Sequence, residues 1–114
     1  MKDNRKFERV YTRLRCWCEG DNVTVYARIG NLSEGGLFLR TSTPLELGAK
    51  AVVRFGLTEA DEVEAAAIVI WSRKDESAAG PPGMGLMFQD PDPRKLEQIR
   101  QIVVGEQKAK KPGS

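Results

Sequence analysis

Histidine is absent from this sequence of 114 residues, and cysteine occurs only as Cys16 and Cys18. Without histidine the commonest general base is missing, and no serine or cysteine has a visible partner to activate it as a nucleophile. The sequence therefore does not read as an enzyme. A four-ligand zinc site would need an odd ligand set or a second chain, so no metal and no other cofactor is expected. Cys16 and Cys18 stand two apart in a strand-like run and face the same side, which suits buried thiols better than a disulfide between near neighbours.

Long apolar runs are missing too, since nothing approaches the ~18 residues of a membrane span. The start, Met1-Lys2-Asp3-Asn4-Arg5-Lys6, leads into no hydrophobic signal core, so a cytoplasmic protein without membrane insertion is expected. Little net charge remains, +2 in all, but it is unevenly placed. Lys2, Arg5, Lys6, Arg9, Arg13 and Arg15 crowd the first fifteen residues against Asp3 and Glu8, while Glu59, Asp61, Glu62 and Glu64 form an acidic stretch. A positive field this local points to a compact anion and not to a nucleic acid polymer. Arg13, Arg15 and Arg40 either enlarge that field or are simply solvated.

What is present is alternation. Residues 10–19 place Val10, Thr12, Leu14, Cys16 and Cys18 on one face and Tyr11, Arg13, Arg15, Trp17 and Glu19 on the other, the pattern of a half-buried strand. Gly20-Asp21-Asn22 supplies a turn, and Val23, Val25, Ala27 and Ile29 resume the alternation, predicting an antiparallel hairpin. Further strands are expected at 37–41, 51–57, 63–73 and 84–88, the fifth being apolar on both faces and so central or covered. Six short strands separated by turns, without intervening helices, predict an all-β chain forming a six-stranded antiparallel β-barrel.

Only the end reads as a helix. Asp92 can cap, Pro93 suits the first helical position, and Leu96, Ile99, Ile102 and Val103 share a stripe that stops at Gly105. The expected organisation is a flexible basic leader over residues 1–9, a barrel plus C-terminal helix over 10–104, and a disordered tail over 105–114.

Between the second and third strands lies Asn31-Leu32-Ser33-Glu34-Gly35-Gly36. Asparagine, serine and paired glycines make a tight connection, but they also offer an amide, a hydroxyl and bare backbone to a flat polar ligand. Upstream stands Arg5-x-x-x-Arg9, whose guanidinium forks can pair with phosphate or with the O6/N7 edge of guanine, or stack on a base.

Arg5-x-x-x-Arg9 followed by Asn31-x-Ser33-x-x-Gly36 in a six-strand pattern resembles the PilZ domain, a family of small bacterial β-barrels that act as receptors for cyclic di-GMP. The likeness runs from Arg5 to about Val103 and takes in the Val69-Ile70-Trp71 and Gly83-to-Phe88 segments. It implies a non-catalytic receptor whose leader folds over the barrel when the nucleotide binds, altering contact with an unidentified downstream protein in motility or biofilm regulation. The ligand-binding residues it implies are Arg5, Arg9, Asn31, Ser33 and Gly36. Trp71 is read first as a core tryptophan and second as a stacking surface for the ligand. Asn4 stands where many members carry a further arginine, which favours a monomeric ligand over a stacked dimer. The alternatives are a PilZ-fold protein-interaction module that does not bind the nucleotide, and a small nucleic-acid-binding barrel, which salt-sensitive and sequence-tolerant binding would reveal.

Overall fold

The computed structural model describes residues 10–78 and 80–109. The alternating segments form seven strands: β1 (Val10–Tyr11), β2 (Arg15–Gly20), β3 (Val23–Leu32), β4 (Gly36–Arg40), β5 (Lys50–Phe55), β6 (Val63–Arg73) and β7 (Gly83–Phe88). A helix, α1 (Pro93–Ala109), follows. Every pairing is antiparallel, and β3 uses both edges, taking β2 on one side and β4 on the other. The ring β3-β2-β5-β6-β7-β4 thereby closes into a six-stranded barrel, and β1 is an extra strand on β3.

The expected first strand is split in two. Residues 12–14 leave the ladder, held by a bond from the Ile29 amide to the Leu14 carbonyl (2.8 Å), so β1 and β2 both lie along one edge of β3. The kink is anchored by Thr12, which is buried; its hydroxyl accepts the Leu14 amide at 3.0 Å and donates to the Glu106 carboxylate on α1. The inward alternation otherwise holds, with Val10, Cys16, Cys18, Val25, Ala27 and Ile29 among the buried core. The fourth expected strand ends at Phe55, two residues early, and Leu57 is exposed instead of lying in line with Val53 and Phe55.

Helix α1 begins as its sequence demands: Asp92 Oδ1 accepts the Lys95 amide at 2.8 Å, a side-chain cap on a helix opened by Pro93. Ile99, Ile102 and Val103 enter the same core as the strands. The helix does not stop at Gly105 but continues to Ala109, so the expected tail from 105 onward is corrected, and residues 110–114 lie outside the described residues. Gly105 lies inside the helix close to Leu57, whose Cδ1 would stand 3.2 Å from a Cβ at that position. Among the described residues, no helix is long and apolar enough to cross a membrane.

Candidate ligand-binding site

The loop after β3 is a closed unit. The Ser33 amide donates to the Gly36 carbonyl at 2.9 Å, and the Ser33 hydroxyl accepts the Gly35 amide at 3.2 Å while reaching the Gly36 carbonyl at 3.4 Å. Ser33 is only 6% exposed, so its hydroxyl is committed first to folding the turn. The loop is stitched to β7 by the Phe88 amide, which donates to the Gly35 carbonyl at 3.0 Å. Gly36 follows from that closeness: a Cβ would fall 2.1 Å from the Leu86 carbonyl oxygen. The approach of a strand, not of a ligand, requires this glycine. Glu34 points the other way and pairs with Arg100 of α1 at 2.9 Å, a contact that raises the Arg100 pKa and ties the loop to the helix.

Two one-residue register shifts decide what the barrel shows to solvent. In β3 the pairing with β4 slips between Ile29 and Asn31, and in β6 the pairing with β7 slips between Val69 and Trp71. Strict alternation from Ile29 and from Val69, both buried, would turn Asn31 and Trp71 into the core. The β-bulges turn both outward instead, which is the way a bulge re-aims a side chain. Trp71 is therefore not the core tryptophan expected from the periodicity of its strand. It lies half-buried on the outer face, over Gly85, where a Cβ would meet its Nε1 at 2.0 Å. Its ring packs on Phe38 (centroids 5.1 Å apart, planes at 31°), and the Arg73 guanidinium lies over it at 4.6 Å. Arg73 is steadied by a 2.7 Å bond from Nε to the Pro81 carbonyl.

The register assembles these groups into one row across the outer face. Tyr11 pairs with Asn31, Asn31 with Phe38, Phe38 with Gly85, and Gly85 with Trp71. Beside the row opens a cleft of about 550 Å³ lined by the 33–36 loop, Phe38, Ile70, Trp71, Met87 and the segment leading into α1. That volume lies within the usual range of small-molecule sites. Among the described residues its charged lining is acidic, Glu34 and Asp90.

Ser33, Gly36 and Trp71 thus line one cleft, and Asn31 stands in the adjoining row. Arg5 and Arg9 lie outside the described residues. Phe38, Arg73 and Glu34 were not singled out by sequence reasoning. Phe38 could have been, because the alternation of Leu37-Phe38-Leu39 leaves an aromatic ring on the solvent side. Cys16 and Cys18 are buried on the opposite, inner side. Burial, then the neighbouring Cys18 thiol, pushes the Cys16 pKa up to about 12, and burial followed by Glu19 pushes that of Cys18 up to about 11.

A closed antiparallel barrel with a capping helix and a lateral polar-aromatic cleft defines the class: a small β-barrel domain with a cleft on its outer wall. The PilZ domain model matches residues 3–105, and the chain belongs to the PilZ domain family. Its backbone is similar to the PilZ domain of YcgR from Escherichia coli solved with c-di-GMP (20% identity, TM-score 0.73, 94% of each chain covered). It is also similar to the Bacillus subtilis inhibitor of motility MotI/DgrA (16%, TM-score 0.76, 96% of this chain and 54% of that one). A third likeness is to the K. pneumonia MrkH–c-di-GMP complex (22%, TM-score 0.70, 97% and 57%). The chain therefore spans about half the length of MotI/DgrA and of MrkH. No curated protein sequence matches it.

Proposed function

We propose that the protein is a non-catalytic cytoplasmic receptor for cyclic di-GMP that signals by closing its N-terminal leader over the outer wall of the barrel. The observation that carries this reading is the register of β1. Val10 pairs with Leu32 and Tyr11 with Asn31, so the chain leaves Arg9 and, one peptide bond later, runs along the very residues of the Asn31-to-Gly36 motif. Val10, the residue bonded to Arg9, stands opposite Leu32 and so beside the cleft-lining Ser33, and a span of four residues such as Arg5 to Arg9 reaches ~13 Å when extended. The described charged lining of the cleft is acidic, Glu34 and Asp90, and Arg5 and Arg9 supply the positive charge that a dianion needs there. Trp71 on its Phe38 support offers a face for a guanine, Asn31 an amide for its edge, and Ser33 and Gly36 hold the loop in shape.

The YcgR and MrkH structures that the fold resembles hold c-di-GMP, which supports the choice of ligand. Charge-assisted hydrogen bonds contribute ~1.5–3 kcal/mol each, while ordering a leader of nine residues costs roughly 1–2 kcal/mol per residue. The balance favours modest affinity, near micromolar or about −8 kcal/mol. Titration calorimetry with cyclic di-GMP at moderate salt should give saturable binding that Arg5→Ala or Arg9→Ala abolishes. An absence of heat together with an unchanged melting temperature would sink the reading. Amide hydrogen exchange should slow over residues 3–10 on binding if the leader is what closes.

A further inference from the structure

One rung along the strands from the Asn31–Phe38 pair, the register sets three arginines side by side. Arg15 on β2 pairs with Arg28 on β3, and Arg28 with Arg40 on β4. All three are exposed, and among the described residues no carboxylate lies within ion-pairing distance of any of them. Directly opposed side chains on neighbouring strands stand ~4.5–5.5 Å apart at Cβ, where like charges oppose folding. The next rung on the same face is the pair Trp17–Tyr26, 41% and 52% exposed, with rings 4.4 Å apart. The Arg15 guanidinium lies over Tyr26 at 5.8 Å. None of these residues lines the nucleotide cleft.

We propose that this arginine rung and its aromatic pair form a protein-docking surface for an acidic partner segment carrying an aromatic or aliphatic anchor. Arginine, tryptophan and tyrosine are the residues that carry binding energy at protein interfaces, and here they are grouped and exposed, the three arginines without a carboxylate partner among the described residues. The charge selects an acidic partner. Its extent selects a protein over a nucleic acid strand, because the patch ends against carboxylates. Glu19 follows Trp17 on the same face of β2, and Glu62 stands beyond Arg54, which lies over the Trp17 ring at 5.9 Å and within 4.0 Å of both acids. A phosphate backbone running on past Trp17 would meet that acidic border, whereas a short acidic segment fits within it. The surface adjoins the row that carries Asn31 and Phe38, so a partner seated there would touch the edge of the nucleotide site.

The experiment uses the nucleotide-free full chain, so its outcome is separate from that of cyclic di-GMP binding. A random glutamate–tyrosine copolymer is titrated in while amide NMR signals and tryptophan fluorescence are followed, with a short oligodeoxythymidylate as the competing probe. The expected result is shifts confined to residues 15, 17, 26, 28 and 40, with binding at least ~10-fold weaker in Arg28→Glu and in Trp17→Ala and for the oligonucleotide. Both variants should keep the melting transition of a folded barrel and cyclic di-GMP affinity within about threefold of the parent. Copolymer shifts elsewhere, unchanged binding by Arg28→Glu, equal or tighter oligonucleotide binding, or loss of the nucleotide along with the copolymer would each overturn the proposal.

Discussion

Gly85→Ala separates the aromatic shelf from the barrel that carries it. The added methyl would sit 2.0 Å from Trp71 Nε1 and 2.5 Å from Cδ1, both atoms of one side chain on the outer face. Because optimal carbon contacts lie at 3.5–4.0 Å, the indole must lift by roughly 1.5 Å, which it can do by swinging towards solvent. The stability lost is then the Phe38 contact, ~0.5–1.5 kcal/mol, and the Arg73 cation–π contact, ~0.5–1 kcal/mol. The barrel should remain folded and lose about 1–2.5 kcal/mol in urea denaturation. The nucleotide should suffer more, since stacking of a base on an aromatic ring is worth ~1–3 kcal/mol, or roughly 5- to 150-fold in Kd. Calorimetric titration with cyclic di-GMP, with Trp71→Ala as the reference, reads that loss directly. If Gly85→Ala binds within twofold of the parent while Trp71 is demonstrably displaced, the ring is not a ligand contact. If the barrel unfolds outright, the outward placement of Trp71 is wrong.

Gly36→Ala should behave in the opposite way, because the obstacle is the Leu86 carbonyl at 2.1 Å and backbone cannot swing aside. Opening the β4–β7 ladder should remove more than ~3 kcal/mol by urea melts, whether or not nucleotide is present. The Cys16 thiol keeps its proton up to about 12 when folded but ionises from 9.0 when exposed. Above pH ~9 the unfolded chain therefore binds fewer protons and stability falls as pH rises, by at most ~1.4 kcal/mol per pH unit, while below pH ~9 this contribution is fully present. Urea melts between pH 8 and 11 should show that slope in the parent and a shallower one in Cys16→Ala. Arg28→Thr should relieve the cross-strand repulsion of the arginine rung and raise the melting temperature by ~1–5 °C in a low-salt thermal melt, the gain shrinking as salt is added.

The barrel was legible because its inward residues keep a two-residue beat. Cys16 and Cys18, then Val25, Ala27 and Ile29, then Val63, Ala65, Ala67 and Val69 face the core as that beat requires. Failure came where the beat changes without a compositional mark. Nothing in Val69-Ile70-Trp71 announces a bulge, so Trp71 counted as core, and the kink at 12–14 was read through as one strand. Gly105 looked like a helix stop because glycine usually is one near a helix end, yet the helix runs on through it beside Leu57, a neighbour distant in sequence. Arg15 and Arg40 were visible as positive charges, but Arg28 gained meaning only from a register that joins three strands. The polar motif was found by its residue types, while the division of labour within it, Ser33 and Gly36 holding the loop and Asn31 facing outward, needed the partner strands.

The two bulges have a consequence for how this surface can change. Asn31 and Trp71 face outward by the parity of a residue count, not by their own chemistry. A chain with the same side chains but one residue fewer in each of β3 and β6, lacking Gly30 and Ile70, would set Asn31 and Trp71 next after the buried Ile29 and Val69, where regular alternation also faces them outward. Single-residue deletions at Gly30 or Ile70 would therefore straighten the two strands without hiding this face, because the partners Leu39 and Phe38, and Leu86 and Gly85, are already consecutive. The bulges are thus the places where a strand of this barrel changes length by one residue and still displays the same groups on its outer wall.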